Sequence, residues 1–330
     1  MRPAPRRLAA LLLFPALLLA ACGGSSSTGK GGTAAASNGA SSGSSSAAQP
    51  SSAVTATTKS GLVVTGGFGD KPTVTVPATA EPTKLVVETL AQGKGPVVKK
   101  GETIVVNYLG QTWKPANGKT NVFDNSYDHN QSIGFEIGAG KVIKGWDQGL
   151  VGLDAGSRVV LSIPADLAYG ATPPSGGQPA GALVFVVDVL GSVPGAAVAS
   201  GTPVTSVPAG MPKVDSRSGQ QPTITSVAAV KAPAKGQPGV SALLIKGSGA
   251  PIEEKKTLAV QIVQTDLATG KQTNKTFDGG GGPQVVPAAQ VLAKISALKG
   301  ATIGSRAVLV TAPTDQGGAL AVVVDVVGQF

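Results

Sequence analysis

From residue 59 onward the chain alternates short apolar runs with glycine- and proline-rich breaks. Up to residue 192 the runs are 73–76, 84–88, 103–109, 159–163 and 183–190. They are rich in valine, leucine and isoleucine and are bounded by turn formers, which predicts strands. Only around 143–151 does the pattern suit a helix. Antiparallel strands wrapped on one short helix make an α+β arrangement.

The pattern then recurs. Val64, Gly69, Pro72, Thr73 and Thr75 return as Val214, Gly219, Pro222, Thr223 and Thr225, at a constant offset of 150. Gly93, Gly95 and Thr103 return as Gly247, Gly249 and Thr257, and Gly156-Ser157-Arg158 as Gly304-Ser305-Arg306. Val187-Asp188-Val189 returns as Val324-Asp325-Val326. Shared order over this length implies duplication, with the second copy shorter in its middle and late loops. Between the copies, 193–209 is rich in Pro, Gly, Ser and Ala and reads as a linker. The units are therefore expected at 59–192 and 210–330.

Ahead of them, Arg2, Arg6 and Arg7 precede an apolar stretch from Leu8 to Ala21, the pattern of an export signal over 1–21. It is too short to span a bilayer comfortably. Leu19-Ala20-Ala21-Cys22 resembles the lipobox of bacterial lipoproteins, which implies cleavage before Cys22 and lipid on it. The rest of 22–58 is nearly all Gly, Ser, Ala and Thr, which cannot bury enough apolar surface to offset ordering and reads as a flexible tether. A coil of ~35 such residues spans on the order of 30 to 35 Å. The expected location is the extracytoplasmic face of the cell membrane, anchored by lipid.

Composition narrows the chemistry. Cys22 is the single cysteine, so no intramolecular disulfide forms. The formal charge is +9, and loss of 1–21 leaves 24 basic and 18 acidic residues. The longest basic runs are pairs such as Lys99-Lys100, which argues against nucleic acid as a partner. No HExxH, CxxC, phosphate loop or serine triad occurs, so no metal and no cofactor is expected. His129 is the only histidine and sits in a polar stretch, as a solvated loop residue would.

Five ordered motifs carry the functional signal. They are Val106-Asn107-Tyr108-Leu109-Gly110, Phe123-Asp124, Val142-Ile143-Lys144-Gly145-Trp146, Pro164 through Gly170, and Leu183-Val184-Phe185. Together they resemble the FKBP-type peptidyl-prolyl cis-trans isomerases over roughly residues 83–191. The resemblance implies an apolar pocket floored by Trp146 and walled by Tyr108, Phe123, Val142, Ile143, Tyr169 and Phe185. It also implies that the Tyr169 hydroxyl and the Ile143 N–H anchor a substrate carbonyl. Asp124 reads either as a carboxylate facing the substrate or ordering Tyr108, or as a turn residue after a strand. Ile133 stands where the family usually has an aromatic wall residue, and Phe135 is kept. Pro174 and Gln178 replace the usual histidine and isoleucine of the flap. Implied partners are proline-containing polypeptides and the family's macrolide inhibitors, with the membrane reached through the lipid anchor.

Aligned on the repeat, the second copy has Ile262 for Tyr108, Ile295 near Trp146 and Val322 for Phe185, with Phe277-Asp278 read as the survivors of Phe123-Asp124. No counterpart of Ala168-Tyr169-Gly170 remains. The expectation is two FKBP-like domains, each an antiparallel sheet curled around a short helix, the second degenerate. The function expected is prolyl isomerisation on exported proteins. A non-catalytic module that binds proline peptides or unfolded chains is the alternative.

Overall fold

The computed structural model describes residues 55–77, 80–114, 122–173 and 178–330. The signal segment, Cys22, most of the tether and Pro174 lie outside the described residues. The described residues open inside the segment expected to be tether, with a meander of β1 (Thr55–Thr57), β2 (Val63–Thr65) and β3 (Thr73–Thr75).

The first sheet follows. It is built from β4 (Val86–Ala91), β5 (Glu102–Thr112), β6 (Val122–Asn125), β7 (Ile133–Glu136), β8 (Arg158–Ile163) and β9 (Leu183–Pro194). Its order is β4-β8-β9-β5-β6, with β7 also paired to β5, and every pairing is antiparallel. The helix α1 (Lys144–Gly149) packs on its concave face.

Strand alternation explains the two-sided burial. On β9, Leu183, Phe185, Val187 and Val189 face the concave core with Ile104, Val106 and Tyr108 of β5 and Val159, Leu161 and Ile163 of β8. The intervening Val184 and Val186 face the other way, where they join Leu109, Trp113, Val160 and the meander's Leu62, Val64 and Val74. The run 183–187 is continuously apolar because the meander covers the convex face, so neither side of the strand meets water there.

A helix of six residues has no stability of its own and is held by packing. A Cβ on Gly145 would lie 2.5 Å from Ile163 Cγ2, so glycine there lets the helix backbone press on β8. The Asp147 carboxylate accepts from the Gly138 and Gly140 N–H groups, each at 2.7 Å, and fixes the loop that enters the helix.

The remaining strands are β10 (Gly201–Pro203), β11 (Lys213–Asp215), β12 (Thr223–Ser226), β13 (Val240–Gly247), β14 (Thr257–Asp266), β15 (Gln272–Lys275), β16 (Gln284–Pro287), β17 (Arg306–Val310) and β18 (Leu320–Gln329), with helix α2 (Ala288–Lys294). The second sheet runs β10-β13-β17-β18-β14-β15, with β16 on β14. Apart from the added edge strand β10, that is the first sheet's order. The β11-β12 hairpin covers its outer face as the meander covers the first, through Met211, Val214 and Ile224. The segment expected to be a linker is part of the fold: β9 runs on to Pro194, Ala199 is fully buried, and 201–203 form β10.

The motifs that repeat between the halves prove to be one fastening device. Arg158 donates to both carboxylate oxygens of Asp188, at 2.6 and 2.7 Å, and reaches over to the Gly66 and Asp70 carbonyls, each at 2.6 Å. Asp188 also accepts from the Gly69 N–H at 2.8 Å and the Tyr127 hydroxyl at 2.9 Å. In the second half Arg306 donates to Asp325 at 2.6 and 2.7 Å and to the Gln220 carbonyl at 2.6 Å. Ser157 and Ser305 each accept a glycine N–H at 2.9 Å, from Gly93 and Gly247. Both ion pairs are wholly buried, and their spare hydrogen-bonding capacity is taken up by backbone and by the Tyr127 and Ser216 hydroxyls.

Candidate active site

The concave face of the first sheet carries an aromatic recess. Trp146, Tyr108 and Phe185 are buried, while Phe123, Ile133, Phe135, Val142, Ile143 and Tyr169 are half-buried and pack against them. Trp146 meets Tyr108 at a centroid distance of 5.5 Å, Phe135 at 5.5 Å and Phe185 at 5.2 Å, all edge to face. Phe123 meets Phe185 edge to face at 5.7 Å. Such contacts bring positive ring edges onto negative ring faces and lock the floor in one orientation. Gly110 makes this possible: a Cβ there would lie 2.6 Å from the Phe185 ring and 2.9 Å from the Phe123 ring.

Polar groups are few. The Trp146 Nε1 is buried and has no hydrogen-bond partner among the described residues. The Tyr108 hydroxyl donates to Asp124 Oδ2. Asp124 lies within β6, opposite Gly110 of β5, so it is a strand residue and not a turn residue. Burial, and then the bond to Asp124, push the Tyr108 phenol well above the ordinary tyrosine range. Burial, and then the Asp124 charge, also raise Tyr169, whose hydroxyl bonds to none of the described residues. Both phenols stay protonated at neutral pH. Ile143 precedes α1 with ψ 147°, and its carbonyl accepts from the Trp146 and Asp147 N–H groups at 3.0 and 3.2 Å.

The recess thus gathers Tyr108, Phe123, Asp124, Ile133, Phe135, Val142, Ile143, Trp146, Tyr169 and Phe185 around one core. The Gln178 Oε1 is buried without a partner among the described residues. Sequence reasoning missed Asp147, whose spacing from two glycines carries no visible signal, and Tyr127, whose phenol is drawn into the Arg158 fastening. Cys22 lies outside the described residues. Among the described residues, no group of three or more His, Cys, Asp or Glu side chains could hold a metal ion.

The family model for FKBP-type peptidyl-prolyl cis-trans isomerases matches residues 95–190. An FK506-binding protein from Streptomyces anulatus is 38% identical over 123 residues, which cover 37% of this chain and 96% of that protein. The chain belongs to the FKBP-type peptidyl-prolyl cis-trans isomerase family. The peptidyl-prolyl cis-trans isomerase FKBP1A of Xenopus laevis is 42% identical over 106 residues, 32% of this chain and 94% of that one. The crystal structure of AtFKBP13 matches 34% of this chain and 96% of its own at 35% identity, with a TM-score of 0.29. The chain is an FKBP-type isomerase, and the matched region holds the whole aromatic recess.

Strand register corrects one expectation about the second half. Ser126 Oγ accepts from the Tyr108 N–H and Thr276 Oγ1 from the Ile262 N–H, each at 2.9 Å. Lys71 bonds to Asp128 as Gln221 bonds to Asp278. Phe277-Asp278 is therefore the counterpart of Tyr127-Asp128, and Phe123-Asp124 correspond to Thr273-Asn274. The conserved Phe-Asp spelling misled because the turn that follows is built of glycines and offers no register in sequence. The second concave core is wholly aliphatic, with Ile262, Ile295 and Val322 among its members.

Proposed function

We propose that this isomerase acts at a membrane surface on proteins folding after export, with the aromatic recess as its reaction site. The observation that carries the reading is an edge-to-face aromatic floor whose rim holds a protonated Tyr169 hydroxyl without a partner among the described residues. Rotation about an X-Pro bond faces a barrier of about 18 to 20 kcal/mol because amide resonance must be broken. The twisted transition state has lost the charge separation of the planar amide, so a dry apolar recess favours it over the hydrated ground state. Each tenfold in rate needs about 1.4 kcal/mol. Trp146 floors the proline ring, and Phe123, Ile133, Phe135, Val142 and Phe185 wall it. Tyr169 and the Ile143 N–H hold a substrate carbonyl, and Asp124, oriented by Tyr108, faces the twisting bond. Macrolide inhibitors of the family occupy the same recess.

The second half is read as the same fold without the site, since the counterparts of Tyr108, Phe123 and Asp124 are Ile262, Thr273 and Asn274. It neither isomerises nor binds macrolides. Anchoring rests on Cys22 and the residues around it, and no helix among the described residues is long and apolar enough to cross a membrane.

The test is full-length protein assayed on X-Pro peptides with and without a macrolide, together with membrane fractionation of Cys22→Ser. Acceleration that the macrolide abolishes is expected, as is release of the variant to the soluble fraction with activity unchanged. No acceleration, or activity indifferent to saturating macrolide, overturns the recess as the site. Membrane retention of Cys22→Ser overturns the lipid anchor.

A further inference from the structure

The two halves meet through equivalent surfaces. β7 sets Glu136 opposite Thr103, and β16 sets Pro287 opposite Thr257, so Gly134 and Val285 are counterparts. They touch: a Cβ on Gly134 would lie 2.2 Å from Val285 Cγ2 and 3.0 Å from Val285 Cβ. Thr103 pairs with Val193, as Thr257 exchanges backbone hydrogen bonds with Phe330 at 3.1 and 2.9 Å. Val193 and Phe330 are therefore counterparts, and so are Gly191 and Gly328, two residues before them.

These contacts are reciprocal. A Cβ on Gly191 would lie 2.5 Å from the Phe330 ring, and one on Gly328 would lie 2.9 Å from Val193 Cγ2. When residue i of one unit meets j of the other and j also meets i, the interface is isologous, the geometry of a two-fold dimer. Here it lies within one chain. Gln261 Nε2 donates to the Gly195 and Ala197 carbonyls at 2.7 and 3.2 Å and pins the connection between the halves.

The interface lies directly behind the recess. Successive side chains on a strand point to opposite faces, so Ile133 and Phe135 of β7 face the aromatic cluster while Gly134 faces the second half. The absence of a side chain at 134 lets Val285 press on the strand itself. We propose that the second half is a built-in partner subunit, docked by a two-fold-like interface on the back of the recess wall, with Val285 a positioning residue for Ile133 and Phe135. The positioning role rests on the recess being the substrate site, whereas the docking does not.

Two measurements on full-length protein test it. In a Cys22→Ser background, Gly134→Cys with Val285→Cys should close an intramolecular disulfide on mild oxidation. The Cβ atoms would lie 3.0 Å apart, a little inside the range of about 3.5 to 4.5 Å that a disulfide bridges, so the bond needs only a small outward shift, for which loss of the valine methyls makes room. The expected product is a monomer lighter by two hydrogens, which neither single-cysteine control gives; its absence overturns the docking.

Val285→Asp, placed against the β7 backbone, should raise KM for an X-Pro peptide by roughly threefold or more while kcat changes less. Val285→Ala should give a smaller rise if the aspartate variant fails to fold, and Val285→Thr should keep the wild-type KM. A disulfide that forms while both Val285→Asp and Val285→Ala keep the wild-type KM overturns the positioning role alone. If the parent protein lacks isomerase activity altogether, the recess reading and the positioning role fail together, while disulfide formation still reports the docking.

Discussion

In both halves a buried arginine fork grips a buried aspartate and ties a β-hairpin or meander to the outer face of the sheet. On the inner face the halves part company. The first packs Trp146, Tyr108, Phe185, Phe123 and Phe135 around a recess with Asp124 at its edge, and the second packs leucine, isoleucine, valine and alanine with no aromatic ring. The difference separates two demands. The repeated Gly-Ser-Arg and Val-Asp-Val motifs answer to the fold, whereas the aromatic residues build the recess proposed as the reaction site. Aliphatic side chains fill a core as well as aromatics do, so a sheet can keep its shape while losing its recess.

The largest expected effect breaks what the halves share. Asp188→Ala should destabilise the protein by about 3 to 5 kcal/mol, because Arg158 is left buried and uncompensated. Asp325→Ala should cost a similar amount through Arg306. Chemical denaturation of both variants checks this, and unequal losses would show that only one half depends on its fork.

Next comes the contrast in function. Phe123→Ala removes a half-buried aromatic wall worth about 1.5 to 3 kcal/mol, so kcat/KM should fall roughly 10- to 100-fold. Its counterpart Thr273→Ala should leave kcat/KM unchanged in the same peptide assay.

Alkaline titration sharpens the contrast further. Tyr108 has a folded pKa raised above its unfolded value near 10. Its contribution is fully present below about pH 10 and is lost as pH rises toward the folded value. Above pH 10 the folded state holds a proton that the unfolded state has released, so stability falls by about 1.4 kcal/mol per pH unit for this group. Tyr108→Phe should make the decline shallower by that amount, whereas Ile262→Leu should leave its slope unchanged.

The smallest effect concerns the rim. Tyr169→Phe loses one hydrogen bond of about 0.5 to 1.5 kcal/mol, a roughly two- to twelvefold fall in kcat/KM. A larger loss than that of Phe123→Ala would rank the polar anchor above the apolar wall.

Much of the first half was legible because its signals are local. The runs around 103–109, 159–163 and 183–190 became β5, β8 and β9, each extending beyond the expected bounds where pairing continues into polar residues. The helix fell within 143–151. The aromatics of the recess stood out because aromatic residues make up only 4% of the chain. What stayed hidden was non-local. Of the meander only β3 was legible, within the run 73–76; β1 and β2 are three-residue strands too short for periodicity to announce, and the meander's partner is the far face of a sheet. Arg158 and Asp188 were visible as repeats, but their pairing spans 30 residues and appears only when β8 and β9 are side by side. The contact of Gly134 with Val285 joins equivalent positions of two copies, which no alignment of one copy on the other brings together.

The meander also sets a mechanical property of the molecule. A load pulling on the chain ahead of Thr55 first meets the β1-β2 pairing, registered from Thr55 opposite Thr65 to Thr57 opposite Val63. It then meets Lys59 and Ser60, whose backbone N–H groups are held by Glu88 at 2.5 and 3.3 Å, and the fully buried Leu62. Only beyond these does it reach the Arg158 fork and the Lys71–Asp128 pair, which stand next to the corner bearing Phe123 and Asp124. The fold thus carries its own strain relief. Tension on the leading end would be spent in unzipping a short hairpin before it could tug on the recess.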